Sequence, residues 1–280
     1  MSGGHDRYAV GRQRGAGACV GLILGLTGAG GAIMAVPLLV FGLHLQVSQA
    51  APIALLAVGL SAALGAVLGL RKGQVRYRAA GFMAFTGILV SPLGLWAARR
   101  LPNAPLAIIF AGVLGTVAWR MWTQGTRPAA NAQSAPRTPP CQINASTGRL
   151  RWTAPCARAL TGAGVIAGFL SGLLGVGGGF VIVPALRRAT DLAMQAIVGT
   201  SLAVIALVSA SGVAAAAAGG HLQWNIAAPF TAAAVLGMLA GRAVADRFPP
   251  RRLQQSFALF AGLVAAAMLA KGVLALIAAV

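Results

Sequence analysis

Two clusters of glycine carry the plainest chemical possibilities in this sequence: Gly28, Gly30 and Gly31 in one, and Gly175, Gly177, Gly178 and Gly179 in the other. With no side chains, their chemistry is that of the backbone. A chain interrupted at such a cluster presents unpaired N–H groups at the start of the next helix, where the helix dipole concentrates roughly half a positive charge. The missing Cβ lets a ligand approach those groups closely. Polar side chains extend the donor set: the hydroxyls of Thr27, Ser171, Thr200 and Ser201, and the amides of Gln49 and Gln195. Neutral donors of this kind suit a small anionic substrate. Several of these residues have a second use open to them. Gly21, Gly25, Gly168 and Gly172 stand at i, i+4 spacing, by which small residues let membrane helices pack closely. Thr200 and Ser201 can bond their own backbone. Gln49 and Gln195 can cap helices or lie at an interface, while Pro37 and Pro184 serve to shape their helices.

Other chemistries are poorly supplied. The three acids, Asp6, Asp191 and Asp246, all lie outside the apolar segments, and His5, His44 and His221 are isolated. No Ser, Cys or Asp stands at a spacing useful to any of these histidines, so no catalytic activity is expected. Gly28-Ala29-Gly30-Gly31 loosely resembles a nucleotide-binding turn, which needs a strand before it and an acid about 20 residues later. Neither Gln46–Ala51 nor Met194–Thr200 offers that acid. Cation pathways ordinarily show Asp or Glu within the membrane, so their absence turns the expectation toward anions. A coupling ion, proton or sodium, is left open. Cys141 and Cys156 have no His, Asp or Glu nearby, so neither a metal nor another cofactor is expected. A disulfide between them requires an oxidising compartment.

The glycine clusters belong to a duplication. Gly21–Pro37 returns as Gly168–Pro184, 147 positions later, with 8 identities in 17 ungapped positions. Gln49-Ala50 matches Gln195-Ala196, Gly73-Gln74-Val75 matches Gly220-His221-Leu222, and Arg100-Leu101-Pro102 matches Arg247-Phe248-Pro249. Paired Gly/Pro-interrupted apolar segments at matching places in two halves point to a transporter's binding site. At membrane depth a broken helix persists only where it is buried in protein or lines a cavity.

Composition assigns the chain to a lipid bilayer. It is 58% hydrophobic and 9% charged, against about 25% charged residues in soluble domains. The net charge of +19 does not form one patch. The basic residues fall between apolar runs, as in a membrane protein, which argues against nucleic-acid binding. The pattern predicts an all-α polytopic membrane protein of two homologous four-segment repeats, each with a glycine-broken first segment. Residues 1–15 form a polar N-terminal segment, 16–122 the first membrane repeat, 123–158 a cytoplasmic linker, and 159–280 the second repeat. The runs near Ala50–Leu70, Ala79–Ala98 and Leu106–Trp122, with their counterparts in the second repeat, approach the ~20 residues that cross a bilayer.

Loop charges give the halves opposite senses. Three successive loops of the first half carry zero, four and two Lys or Arg; those of the second carry two, zero and three. Since Lys/Arg excess marks the cytoplasmic side, the repeats are expected to be inverted. Each broken first segment would then enter and return without crossing. Eight full crossings would strand the Arg247–Arg252 cluster outside.

The paired G-x-x-x-G-x-x-G-x-G-G…P motifs, the run Ala196-Ile197-Val198-Gly199-Thr200-Ser201-Leu202, and Gly220 followed by an apolar–aromatic pair resemble the sulfite exporter TauE/SafE family. The likeness runs from about Gly21 to Leu276; the first half departs from it at Ile53-Ala54-Leu55, which has no hydroxyl. The resemblance implies a multi-pass permease of the bacterial inner membrane for a small anion, sulfite or an organosulfonate, working by alternating access. A non-transporting membrane scaffold or assembly partner, or a carrier of a non-sulfur organic anion, are the competing readings.

Overall fold

The computed structural model describes residues 15–25, 31–43, 45–126, 141, 152–220, 222–244 and 250–277. Ten helices account for nearly all of them. In chain order these are α1 (Gly15–Gly25), α2 (Gly31–Gly42), α3 (Val47–Arg71), α4 (Tyr77–Arg100), α5 (Asn103–Thr126), α6 (Ala154–Leu174), α7 (Gly179–Ala189), α8 (Met194–Ala218), α9 (Trp224–Val244) and α10 (Pro250–Ile277). No strand occurs among the described residues beyond an isolated bridge between Cys141 and Thr190. Among the described residues, seven helices are long and apolar enough to cross a membrane: α3, α4, α5, α6, α8, α9 and α10. The broken first segment of each half is a pair of helices, α1 with α2 and α6 with α7. Helix α6 starts within the stretch expected to be linker, because Thr153 caps it by accepting from Cys156 N and Pro155 suits its first turn.

Small residues decide which helices meet. A Cβ added to Gly164 would collide with Met83, one on Gly168 with Gly87, and one on Gly172 with Ser91. Both numbers rise by four, so α6 and α4 run parallel with their backbones nearly touching. A Cβ on Gly17 would meet Phe230, on Gly21 Ala234, and on Gly25 Met238. Helix α1 is therefore parallel to α9. Adding 147 to the α1 residues and subtracting it from the α9 residues reproduces the three α6–α4 contacts. At the centre, α3 and α8 run antiparallel, with Gly59 against Ser209, Gly65 against Leu202 and Gly212 against Leu55. The last two contacts also exchange under the same shift.

The surface is that of a protein in lipid. On α4, Phe85, Leu89, Leu93 and Trp96 are exposed in a continuous stripe, and on α10 Leu263, Leu274 and Ile277 are exposed. Exposed apolar area on this scale belongs against a membrane. Charged side chains near helix ends lie over aromatic rings, Arg100 over Trp96 at 4.8 Å and Lys271 over Phe41 at 5.7 Å. The interior is packed by Met34, Ile53, Met83, Phe110, Leu174 and Phe230, all fully buried.

One pairing stands against the cytoplasmic setting expected for the linker. Cys141 and Cys156 form a disulfide with a Cα–Cα separation of 4.9 Å. The local structure brings them together. Cys141 N donates to Ala189 O at the end of α7, and Cys156 occupies the first turn of α6, so both flank the end of the α6–α7 pair away from the glycine turn.

Candidate functional site

Helix α6 ends in a turn that only glycine can make. Gly175, its C-cap, is left-handed at φ 71° and donates its N–H to Ser171 O at 2.9 Å. Gly177 at φ 70° and Gly178 at φ 68° follow, and Gly178 is the N-cap of α7. A Cβ on Gly178 would approach Ala167 O at 2.6 Å, and one on Gly175 would strike Ala51 of α3. Every residue from Ser171 to Gly179 is buried. This is irregular backbone enclosed in protein, the condition under which it survives at membrane depth. Among the described residues, the N–H groups of Gly177, Gly178 and Gly179 take no partner. No side chain caps α7, so its positive dipole end opens into the bundle.

Three elements converge on Gly177. A Cβ there would sit 2.9 Å from Ile205, 3.1 Å from Ser209 Oγ and 3.4 Å from Val58 Cγ1. Val58 of α3 and Ile205 of α8 are themselves 147 positions apart, so the turn lies where the two central helices cross. Ser209 is fully buried and its Oγ has no hydrogen-bond partner; the same holds for Ser171 and Ser61. Burying an unpaired hydroxyl costs about 1–3 kcal/mol. Ser209 beside Gly177 and Ser171 one helical turn before Gly175 give this glycine turn two unused donors.

The residues singled out from sequence divide. Gly175, Gly177, Gly178 and Gly179 come together in the turn, with Ser171 one turn upstream. Gly31 opens α2 as Gly179 opens α7, while Gly28, Gly30 and Thr27 lie outside the described residues. Thr200 and Ser201 are buried, but both hydroxyls are engaged. Thr200 Oγ1 accepts from Arg76 N at 3.1 Å, and Ser201 Oγ donates to Ile197 O at 2.8 Å. Nine residues separate Thr200 from Ser209 along α8, about 13 Å of helix. Gln49 Oε1 accepts from Gln46 N in a capping box at the start of α3, and Gln195 Oε1 accepts from Gln74 Nε2 just beyond the end of α3. The length of α3, about 37 Å for its 25 residues, separates the two amides, so they do not share a site.

Two groups escaped the sequence reading. Ser209 is one hydroxyl in a long apolar run with no motif around it. Arg242, which stands just before the loop that holds the Arg247–Arg252 cluster, donates from Nη1 to Gly65 O at 3.2 Å. That fixes a guanidinium beside α3, about 10 Å along the helix from Val58. A separate groove of about 820 Å³ lies between α1 and α9, lined by Ala18, Cys19, Leu22, Ala233, Leu236 and Ala240. Its walls are apolar, and nothing in them could orient an anion.

Seven membrane-length helices around a buried, broken-helix turn define a multi-pass membrane protein of the transporter class. The chain belongs to the sulfite exporter TauE/SafE family, whose profile matches residues 15–268. Two relatives from Xylella fastidiosa, of strains 9a5c and Temecula1 / ATCC 700964, are each named "Probable membrane transporter protein". They are 29% identical to this chain over 239 and 238 residues, covering 84% and 83% of it and 84% of each relative. No solved structure matches. The chain is thus a membrane transporter of this family.

Proposed function

We propose that this transporter carries a small oxyanion, sulfite or an organosulfonate, by alternating access, with the anion held mid-membrane against the turn Gly175–Gly178. The observation that carries this reading is the start of α7, where, among the described residues, buried N–H groups stand without partners in a turn of three glycines and Val176. Left dry, each would cost about 1–3 kcal/mol, and hydrogen bonds to an anion are roughly twice as strong as neutral ones. The family description supplies the sulfur oxyanion. Matching helices of the two halves run in opposite senses, which favours inverted repeats about a two-fold axis in the membrane plane. Such an axis brings the breaks of both repeats to the midplane, so Gly28, Gly30 and Gly31 would form the facing wall. Vesicles containing the purified protein test this with labelled sulfite, thiosulfate, organosulfonates and carboxylates. Flux of the sulfur oxyanions is expected. Flux of carboxylates alone reassigns the cargo to non-sulfur organic anions, and neither flux nor binding across the panel leaves the scaffold reading.

A further inference from the structure

The unused hydroxyls are unevenly divided between the halves. Subtracting 147 from Ser209 gives Ala62, and from Ser171 gives Leu24. Thus two of the three buried, unpartnered serines belong to the second repeat, and their counterparts in the first have no hydroxyl. Ser209 Oγ lies beside the α6–α7 turn, where the N–H groups of Gly177 and Gly178 are free among the described residues. The surroundings are also uncharged. Gly177 is bounded by Val58, Ile205 and Ser209. Helix α3 carries no charge before Arg71, α8 carries none, and in α7 only Arg187 and Arg188 of the last turn are charged. Arg242 is already committed to Gly65 O, two turns along α3.

We infer that the ligand is gripped by the Ser209 hydroxyl together with the N–H groups at the start of α7, and that this site selects singly charged oxyanions over doubly charged ones. This rests on the anion-permease reading above. The charge selection follows from how each term scales. Desolvation into a low-dielectric interior grows with the square of the charge, so a dianion costs about fourfold more than a monoanion of the same size. Attraction to a helix dipole and to neutral donors grows only in proportion to charge. A site with no cationic side chain in contact therefore loses ground with each added charge. The Ser209 hydroxyl supplies the directional contact that the backbone lacks, and Ala62, its counterpart in the first repeat, supplies none.

The test uses full-length protein reconstituted in proteoliposomes, with methanesulfonate as the singly charged probe and sulfate as the doubly charged one. Sulfite is also measured at acid and alkaline pH, since it loses its remaining proton between them. Wild-type protein should take methanesulfonate at least tenfold better than sulfate, and sulfite better at acid pH. Ser209→Ala should weaken methanesulfonate binding by about ten- to a hundredfold with an unchanged melting temperature, while Ala62→Ser should bind as wild type does. Equal binding by Ser209→Ala and wild type overturns the role of the hydroxyl. Sulfate carried as well as methanesulfonate overturns the charge selection. If the wild type moves none of these anions, the permease reading falls and this inference falls with it; if it moves them and Ser209→Ala is silent, only the inference falls.

Discussion

At Gly177 two demands meet in one residue. Its φ of 70° costs an L-residue roughly 1–2 kcal/mol, and a methyl there would press on Ile205 and the Ser209 hydroxyl. Gly177→Ala is therefore expected to abolish flux in vesicles while the protein still reaches the membrane fraction in normal amount. The sequence duplication extends the same expectation to Gly30→Ala. Wild-type flux in both variants would make the clusters packing features and send the search for the site elsewhere. Thr200 is a contrasting case. Its hydroxyl draws attention from sequence, yet it accepts from Arg76 N and so ties the α3–α4 loop to α8. Thr200→Val should lower stability by about 1 kcal/mol, the net value of one such bond, read as a drop in melting temperature in detergent. Anion affinity should stay unchanged, and a loss of affinity without a loss of stability would return Thr200 to the binding site.

Between elements, the glycines sort into those that touch a neighbouring backbone and those that do not. Gly168 meets the Gly87 carbonyl at the α4–α6 crossing, whereas Gly112 of α5 has nothing within 4 Å of an added Cβ. Gly168→Ala should destabilise by about 1–3 kcal/mol through overpacking, and Gly112→Ala should be neutral or stabilising by up to about 1 kcal/mol. Thermal melting of the two variants side by side checks the assignment, and equal melting would refute it. The same contrast marks what could be read without coordinates. The apolar runs, their breaks and the duplication were legible, because bilayer thickness sets run length and a glycine cluster cannot continue a helix. That each first segment breaks into two helices was foreseen from Gly28–Gly31 and Gly175–Gly179. That α1 packs on α9 and α6 on α4 was not, since a small-residue face says only that some helix comes close. Ser209 stayed hidden for a related reason. A serine in an apolar run has several cheap fates, and only the approach of Gly177 from another segment distinguishes this one. The bond that Thr200 makes was hidden too, because its partner, Arg76, lies 124 residues away.

For the whole molecule, two signals on one face point to different compartments. The α3–α4 turn holds Arg71, Lys72, Arg76 and Arg78, and the α7–α8 connection follows Arg187 and Arg188. The parallel course of α6 and α4 puts the start of α6, with Cys156, at the same end as the α3–α4 turn. Lys/Arg excess assigns that face to the cytoplasm. The Cys141–Cys156 disulfide sits there too, and disulfides persist in oxidising compartments while cytoplasmic thiols stay reduced. Charge acts on every loop of this face, whereas the disulfide is one bond between residues that the fold already holds close through Ala189 and the first turn of α6. The face is therefore expected to be cytoplasmic, with the cysteine pair reduced in growing cells and oxidised once the protein is purified in air. Acid-quenching cells before alkylation with a mass-adding maleimide should show both thiols free. On a cysteine-free background, Ser48→Cys should react with an impermeant thiol reagent in intact cells, and Lys72→Cys should not. Labelling of Lys72→Cys, together with an oxidised Cys141–Cys156 pair in quenched cells, would reverse the orientation and turn the linker outward, where the disulfide becomes a permanent strap from α6 to the end of α7.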